Sequence, residues 1–185
     1  LGVFSLDEAG KYFASAVALY DSDPACSEDD SFIKCLANSA LCLNLSLQVK
    51  RIAELAAKFG PVLNRIGDNR HHVFFLHHQV SSLIWNGRYL DALRVQKNLS
   101  AMAQRLGDQK SLAYALVSGL SVSIYAAPIT REAFEAKRRE AEAALANIED
   151  AYLRYFYLAN VGWDAVCRGR VIEARAAADL LTEIG

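Results

Sequence analysis

Four histidines, His71, His72, His77 and His78, fall within eight consecutive positions, and the chain contains no others. Imidazole can bind a metal ion or carry a proton near neutral pH, so this cluster is the first place to look for chemistry. Its spacing argues against chelation by the segment alone. Two rings on one helix reach a common ion when they stand three or four residues apart, whereas the separations here are 1, 5, 6 and 7. His71 and His78 share a helical face but lie about 10.5 Å apart along the axis. They are expected to be partly buried or surface histidines that titrate near neutral pH, and a metal site would need ligands from a neighbouring helix.

The four cysteines, Cys26, Cys35, Cys42 and Cys167, form no C-x-x-C pair, and no histidine lies adjacent in phase to activate a thiolate. Cys35, Cys42 and Cys167 sit in apolar stretches and are expected to be small, reduced core residues of a cytoplasmic protein. No phosphate-loop, H-E-x-x-H, G-x-S-x-G or dinucleotide-binding glycine pattern occurs. The sequence therefore predicts no catalytic residue, no cofactor and no metal. Asn44-Leu45-Ser46 and Asn98-Leu99-Ser100 match a glycosylation signal but fall inside helical patterns, and both are read as chance matches.

The elements that would position these residues are helical. Proline occurs three times in 185 residues, at Pro24, Pro61 and Pro128, and long alternating runs of β-branched residues are absent. With 53% hydrophobic and 22% charged residues, the composition is that of one ordinary domain over residues 1–185. Twenty Lys and Arg against 21 Asp and Glu leave no cationic excess for nucleic acid or an anionic membrane. A homodimer is left open. Because the chain begins at Leu1 rather than Met and stops at Gly185 after an apolar helical pattern, it is expected to be a piece of a longer multidomain protein.

An internal repeat organises the helices. Phe32, Phe74, Tyr114 and Phe156 are spaced 42, 40 and 42 positions apart, and Leu43, Trp85, Tyr125 and Cys167 keep the same intervals. Helix-ending signals recur at Asp21, Asp68, Asp108, Asp150 and Gly185. Each period reads as two antiparallel helices, with Gly87, Ala127 and Gly169 near the turn between them. Helix starts are expected near residues 6, 29, 47, 69, 89, 109, 130, 150 and 171, giving about nine helices. Asp68, Asp108, Asp150 and Thr130 are expected to cap first turns, and Pro128 to stop the helix before it. Gly60-Pro61 should kink or break the helix that contains it.

One helix of each pair is expected to be the more buried. No charged residue occurs from Ser111 to Thr130, whereas the next segment carries Arg131, Glu132, Glu135, Lys137, Arg138, Arg139, Glu140 and Glu142. That run reads as a solvated face, with Glu135–Arg139 and Arg138–Glu142 pairs one turn apart. The uncharged stretch approaches transmembrane length but includes four serines and a glycine in register with the repeat, so no membrane span is expected.

Gly87-Arg88-Tyr89-Leu90-Asp91-Ala92, echoed by Gly169-Arg170-Val171-Ile172-Glu173-Ala174, resembles the turn and second helix of a tetratricopeptide-type hairpin, and Val161-Gly162 resembles the Leu-Gly pair of its first helix. The period near 40 exceeds the usual 34, and most consensus aromatic and proline positions are missing, which places the likeness with the long-helix variety. Ala18-Leu19-Tyr20-Asp21 and the segment Ala176 to Gly185 are similar to the helical tails of bacterial class III adenylate or guanylate cyclase-ATPase proteins and of maltose-activator-type transcription regulators.

The resemblance implies an all-α, right-handed solenoid of antiparallel helix pairs. It also implies a cytoplasmic, non-catalytic protein–protein interaction or regulatory module, whose partner is a protein, a peptide or another domain of the parent chain. An effector-sensing domain that binds a small molecule or peptide in the solenoid groove is the alternative. If the more buried helices line the concave side, His77, Tyr114, Tyr125 and Trp163 are the candidate groove residues. The competing expectation is that the same residues pack between successive helices.

Overall fold

Side-chain caps set where the helices begin. Asp29, Asn69, Asp108, Thr130 and Asp150 each precede a helix in extended conformation and accept from a first-turn N–H, at 2.7 Å for Ser31, 2.7 Å for His71, 2.9 Å for Ser111, 3.3 Å for Ala133 and 3.0 Å for Leu153. The computed structural model describes residues 6–23, 29–127 and 129–184. Among these residues it is all-α, with α1 (Leu6–Ser22), α2 (Asp30–Leu45), α3 (Val49–Ile66), α4 (Arg70–Trp85), α5 (Tyr89–Leu106), α6 (Gln109–Tyr125), α7 (Arg131–Leu145), α8 (Ala151–Cys167) and α9 (Val171–Ile184). Each start lies within two residues of its expected position. Pro24, Cys26, Pro128 and Gly185 lie outside the described residues, and with them the stop assigned to Pro128.

Asp68 does not cap α4. Gly67, at φ 79°, displaces the helix start so that Asn69 takes the capping geometry, and Asp68 instead accepts two bonds of 2.7 Å from Arg105 at the end of α5. Helix α3 runs unbroken through Gly60-Pro61, so the expected break is absent. Pro61 faces solvent, while Phe59 and Leu63 on either side are buried and Phe59 packs edge-on to Phe32 at 5.1 Å. That packing holds the helix across the missing proline donor.

Gly87 and Gly169 turn the chain at φ 71° and 70°, as expected. Leu47 occupies the corresponding turn between α2 and α3 at φ 58°, where a side chain is strained, and is 79% exposed. Leu47→Gly is expected to stabilise the fold by about 0.5–1 kcal/mol, because it removes the strain and gives up no burial. Urea unfolding checks this; a lower midpoint at unchanged slope would refute it.

The even-numbered helices adjoin in series, α2 to α4 to α6 to α8, and each odd-numbered helix lies against its even neighbours. The even series is the more buried, as the uncharged sequence of α6 implied. Val73, Leu76, Tyr114, Val117, Leu120 and Leu153 anchor one core with Leu99 and Phe134 of the odd helices, and Phe32, Leu36, Ile52 and Phe59 anchor another. On the charged helix α7, Glu135 meets Arg138 at 2.9 Å and Arg170 of α9's approach at 3.1 Å, in place of the expected partner Arg139. Among the described residues, no helix is long and apolar enough to cross a membrane.

Candidate functional site

Three rows of side chains run along the even helices with a common rhythm. They are Phe74, His78, Ser81 and Trp85 on α4; Tyr114, Ser118, Ser121 and Tyr125 on α6; and Tyr152, Phe156, Ala159 and Trp163 on α8. Steps of four, three and four residues keep each row on one side of its helix over about 16 Å. Ring contacts join the rows: Phe74 to Tyr114 at 5.1 Å, Phe74 to Tyr152 at 6.3 Å, and Tyr125 stacked on Trp163 at 6.5 Å.

The middle of this face is closed. His77 and His78 are 1% and 0% exposed, with their rings 5.2 Å apart. His77 lies 4.8 Å from Phe156 and 5.0 Å from Tyr114, and its Nδ1 is 2.7 Å from the Ser118 hydroxyl. His78 Nδ1 faces the Asn44 amide and the Tyr152 hydroxyl, each at 3.3 Å. The Asn44 amide also donates to the Tyr152 oxygen at 3.3 Å, so Asn44, Tyr152 and His78 Nδ1 form one polar cluster. Neither Nε2 has a partner among the described residues. Burial lowers the His77 pKa to about 3 despite the favourable field of Asp150, and burial with the neighbouring His77 holds His78 well below the ordinary value of 6.5. Both rings are therefore neutral at physiological pH and do not titrate near neutrality as expected. Burial also lowers His72, and it lowers His71 against the pull of Asp30 at 3.6 Å.

Each end of the face opens into a hollow. Toward the helix starts, a hollow of about 480 Å³ is bounded by Lys34 and Asn38 of α2, Arg70, His71 and Phe74 of α4, Asp108, Lys110 and Tyr114 at α6, and Asp150 and Tyr152 at α8, with Arg70 close enough to Asp108 to favour its ionised form. Lys110 pairs with Asp150 at 2.7 Å, and Asp150 also accepts from the Tyr114 hydroxyl at 2.9 Å. Burial alone would raise the Asp150 carboxyl, but Lys110, the Leu153 N–H and Tyr114 outweigh it and hold the group ionised. Toward the helix ends, Trp85, Tyr125 and Trp163 surround a hollow of about 160 Å³ floored by Ser81, Ser121 and Asn160. There Ser121 donates to Asn160 at 2.9 Å.

No family model, curated protein or solved structure matches this chain.

The four groove candidates divide between interior and surface. His77 and Tyr114 are buried between helices, at 1% and 4% exposure, because α8 closes over them with Tyr152 and Phe156. Tyr125 is half-buried and Trp163 is 48% exposed, and these two do form one surface with Trp85. Cys42 is buried as expected, Cys35 is partly buried, and Cys167 is exposed rather than core. Trp85 and Tyr125 of the exposed aromatic end belong to the second repeated phase, whereas Trp163 lies one turn before its fourth member, Cys167. Among the described residues, no group of three or more His, Cys, Asp or Glu side chains is arranged to hold a metal ion.

Sequence reasoning missed Lys34, Arg70 and Lys110. Arg70 and Lys110 each stand four residues before a repeated aromatic, Phe74 and Tyr114, so the 40-residue interval already carried that signal. Lys34 is outside this phase and is brought in only by the packing of α2 against α4.

Proposed function

We propose that this chain is a non-catalytic interaction module, a right-handed solenoid of antiparallel helix pairs whose even-helix face receives an extended peptide segment. The observation that carries this reading is the unequal pair of hollows on that face. Lys34, Arg70 and Lys110 outnumber Asp108 and Asp150 at one end, beside Phe74 and Tyr152, and the exposed rings of Trp85 and Trp163 stand at the other. A segment spanning about 16 Å in extended form needs about five residues. Its acidic side chain meets the basic hollow and an apolar one meets the aromatic hollow. The sequence resemblance to cyclase-associated and transcription-regulator tails supports a regulatory setting in a cytoplasmic bacterial signalling protein, with the segment supplied by a partner or by another domain.

Selection of a displayed peptide library on the intact chain tests this. Enriched peptides are expected to carry Asp or Glu at one end and an aromatic or aliphatic residue at the other. By fluorescence anisotropy, Lys34→Glu/Arg70→Glu and, separately, Trp163→Ala should each weaken binding about ten-fold, equivalent to about 1.4 kcal/mol. The melting temperature should stay unchanged, since all three side chains are at the surface. A selection that enriches nothing, or peptides indifferent to both changes, defeats the reading. The alternative, an effector-sensing domain, draws support from the basic hollow's volume of about 480 Å³, which lies within the range of small-molecule sites.

A further inference from the structure

The turns between the two helices of each pair lie along one edge of the array. Asn69 at the start of α4 donates to Asp30 at the start of α2 at 2.8 Å, and Tyr125 at the end of α6 stacks on Trp163 near the end of α8, so successive even helices run parallel. Neighbouring turns meet: the Ser82 hydroxyl donates to the Val49 carbonyl at 2.6 Å, and the Arg168 guanidinium donates to the Ile129 carbonyl at 3.1 Å. A Cβ on Gly10 would lie 3.9 Å from the Cβ of Cys42, and Tyr20 packs on Phe32 at 5.3 Å, so α1 runs antiparallel to α2 and begins at this edge. Residues 6–14, 38–57, 78–97, 117–127, 129–138 and 159–177 therefore form the half of the molecule nearest the edge.

That half differs from the rest in two ways. Of the thirteen large apolar side chains exposed among the described residues, ten belong to it, including Leu47, Leu90, Val166, Val171 and Ile172 at 79%, 70%, 55%, 75% and 87% exposure. It also carries twelve Lys and Arg against eight Asp and Glu, whereas the remainder of the chain carries eight against thirteen. The net charge of −1 thus averages a cationic half and an anionic half. Leu47 marks the edge independently. Standing 40 positions before Gly87, it takes the same left-handed turn conformation with a solvent-facing side chain, where glycine would serve the fold better. A strained side chain that contributes no burial points to a role outside the fold.

Apolar side chains set among cations at protruding turns match the boundary between lipid headgroups and acyl chains, where the apolar groups leave water and Lys or Arg meets anionic headgroups. The five side chains come from three separate turns, and none of them borders either hollow of the even-helix face. They present protruding points to a broad surface rather than a groove to a peptide. We propose that this edge docks on an anionic lipid surface, with Leu47, Leu90 and Ile172 entering the interface and Lys50, Arg51 and Arg175 meeting the headgroups. None of these residues belongs to the peptide face, so either site can fail without the other.

Co-sedimentation of the full chain with vesicles of phosphatidylcholine and phosphatidylserine, mixed about two to one, tests the edge. Binding is expected to be about ten-fold weaker to phosphatidylcholine alone and to fall as salt is raised, since headgroup attraction is screened. Leu90→Ser/Ile172→Ser should weaken binding about ten-fold through lost apolar burial. Lys50→Gln/Arg175→Gln should weaken it about 25-fold, at about five-fold per cation. Leu19→Ser, at a leucine 71% exposed in the other half, should leave it unchanged. Leu47→Gly separates a lipid role from a structural one, because it should raise stability and yet weaken binding about five-fold. No binding to the anionic vesicles, equal binding to phosphatidylcholine alone, or a loss with Leu19→Ser as large as with Leu90→Ser/Ile172→Ser would overturn the proposal. Self-association without lipid that Leu90→Ser/Ile172→Ser abolishes would assign the edge to a second copy of the chain and overturn it likewise. Undiminished binding by Leu47→Gly would overturn the role of Leu47.

Discussion

Below pH 6.5 the folded chain should lose stability at about 3 kcal/mol per pH unit, roughly 1.4 kcal/mol from each of His77 and His78. Both are buried and neutral in the folded state, where burial depresses the His77 pKa to about 3 and holds His78 well below 6.5. In the unfolded chain they titrate near 6.5, so as pH falls the unfolded state takes up protons first. Their contribution is complete above pH 6.5 and is lost progressively as pH falls toward the folded values. The facing groups do not rescue the charged form. Asp150 is the acidic group that acts on His77, while Asn44 of α2, Phe74 of α4, Tyr114 and Ser118 of α6, and Tyr152 and Phe156 of α8 bring neutral side chains.

At pH 4.5 His77 alone accounts for a loss of about 3 kcal/mol and His78 adds to it, a large share of the stability of a marginal domain. Among the depressed carboxylates, Asp68, Asp108 and Asp150 act mainly below their ordinary value of 3.8 and the fully exposed Glu132 mainly below 4.5, so the interval from pH 6.5 to 4.5 belongs chiefly to the histidines. Urea unfolding across that interval measures the slope. His77→Asn/His78→Asn should be less stable at pH 7.5 but should keep only the shallower dependence contributed by His71 and His72. A double variant with the slope of the unaltered chain would refute the assignment.

Asp164→Ala should destabilise the fold by about 3 kcal/mol and lower the melting temperature by about 10 °C. The Asp164 carboxylate is 3% exposed, accepts from Arg168 at 2.8 Å, and forms an ion pair with Arg170, itself only 13% exposed. Removing the carboxylate leaves Arg170 in low-dielectric surroundings with Glu135 and Glu173 as its remaining partners. Those two keep the loss at the lower end of what breaking a buried pair costs. Asp164→Leu/Arg170→Met removes both charges and should be more stable than Asp164→Ala, although it lacks more polar contacts. If the double variant is the less stable, the pair is worth more than its desolvation and the expectation fails. Differential scanning calorimetry decides between the outcomes.

The helices were legible because their signals are local. Capping residues such as Asp108, Thr130 and Asp150, glycines at 87 and 169, and a repeat of 40 to 42 positions each act within a turn or two of backbone. The same locality explains the misses. Whether Asp68 or Asn69 caps α4 depends on Gly67 and on an Arg105 arriving from α5, and whether Pro61 breaks α3 depends on the packing of Phe59 against Phe32. The Glu135–Arg139 pair was outcompeted by Arg170, 35 positions away.

For the site, the sequence by itself determined which residue types recur and at what interval, and so supplied the aromatic rows of α4 and α6 and two of the three cations at one end, while the row on α8 stands one turn out of that phase. Only the tertiary structure decided which members of those rows face solvent. Successive even helices cover Tyr114 and His77 completely but leave Trp85 and Trp163 exposed, although all four lie in the apolar helical pattern. Burial is a property of what neighbouring helices place over a side chain, and a one-dimensional pattern does not specify that cover. The pKa of His77 follows the same rule, since an imidazole of ordinary basicity is held neutral by rings contributed from α6 and α8.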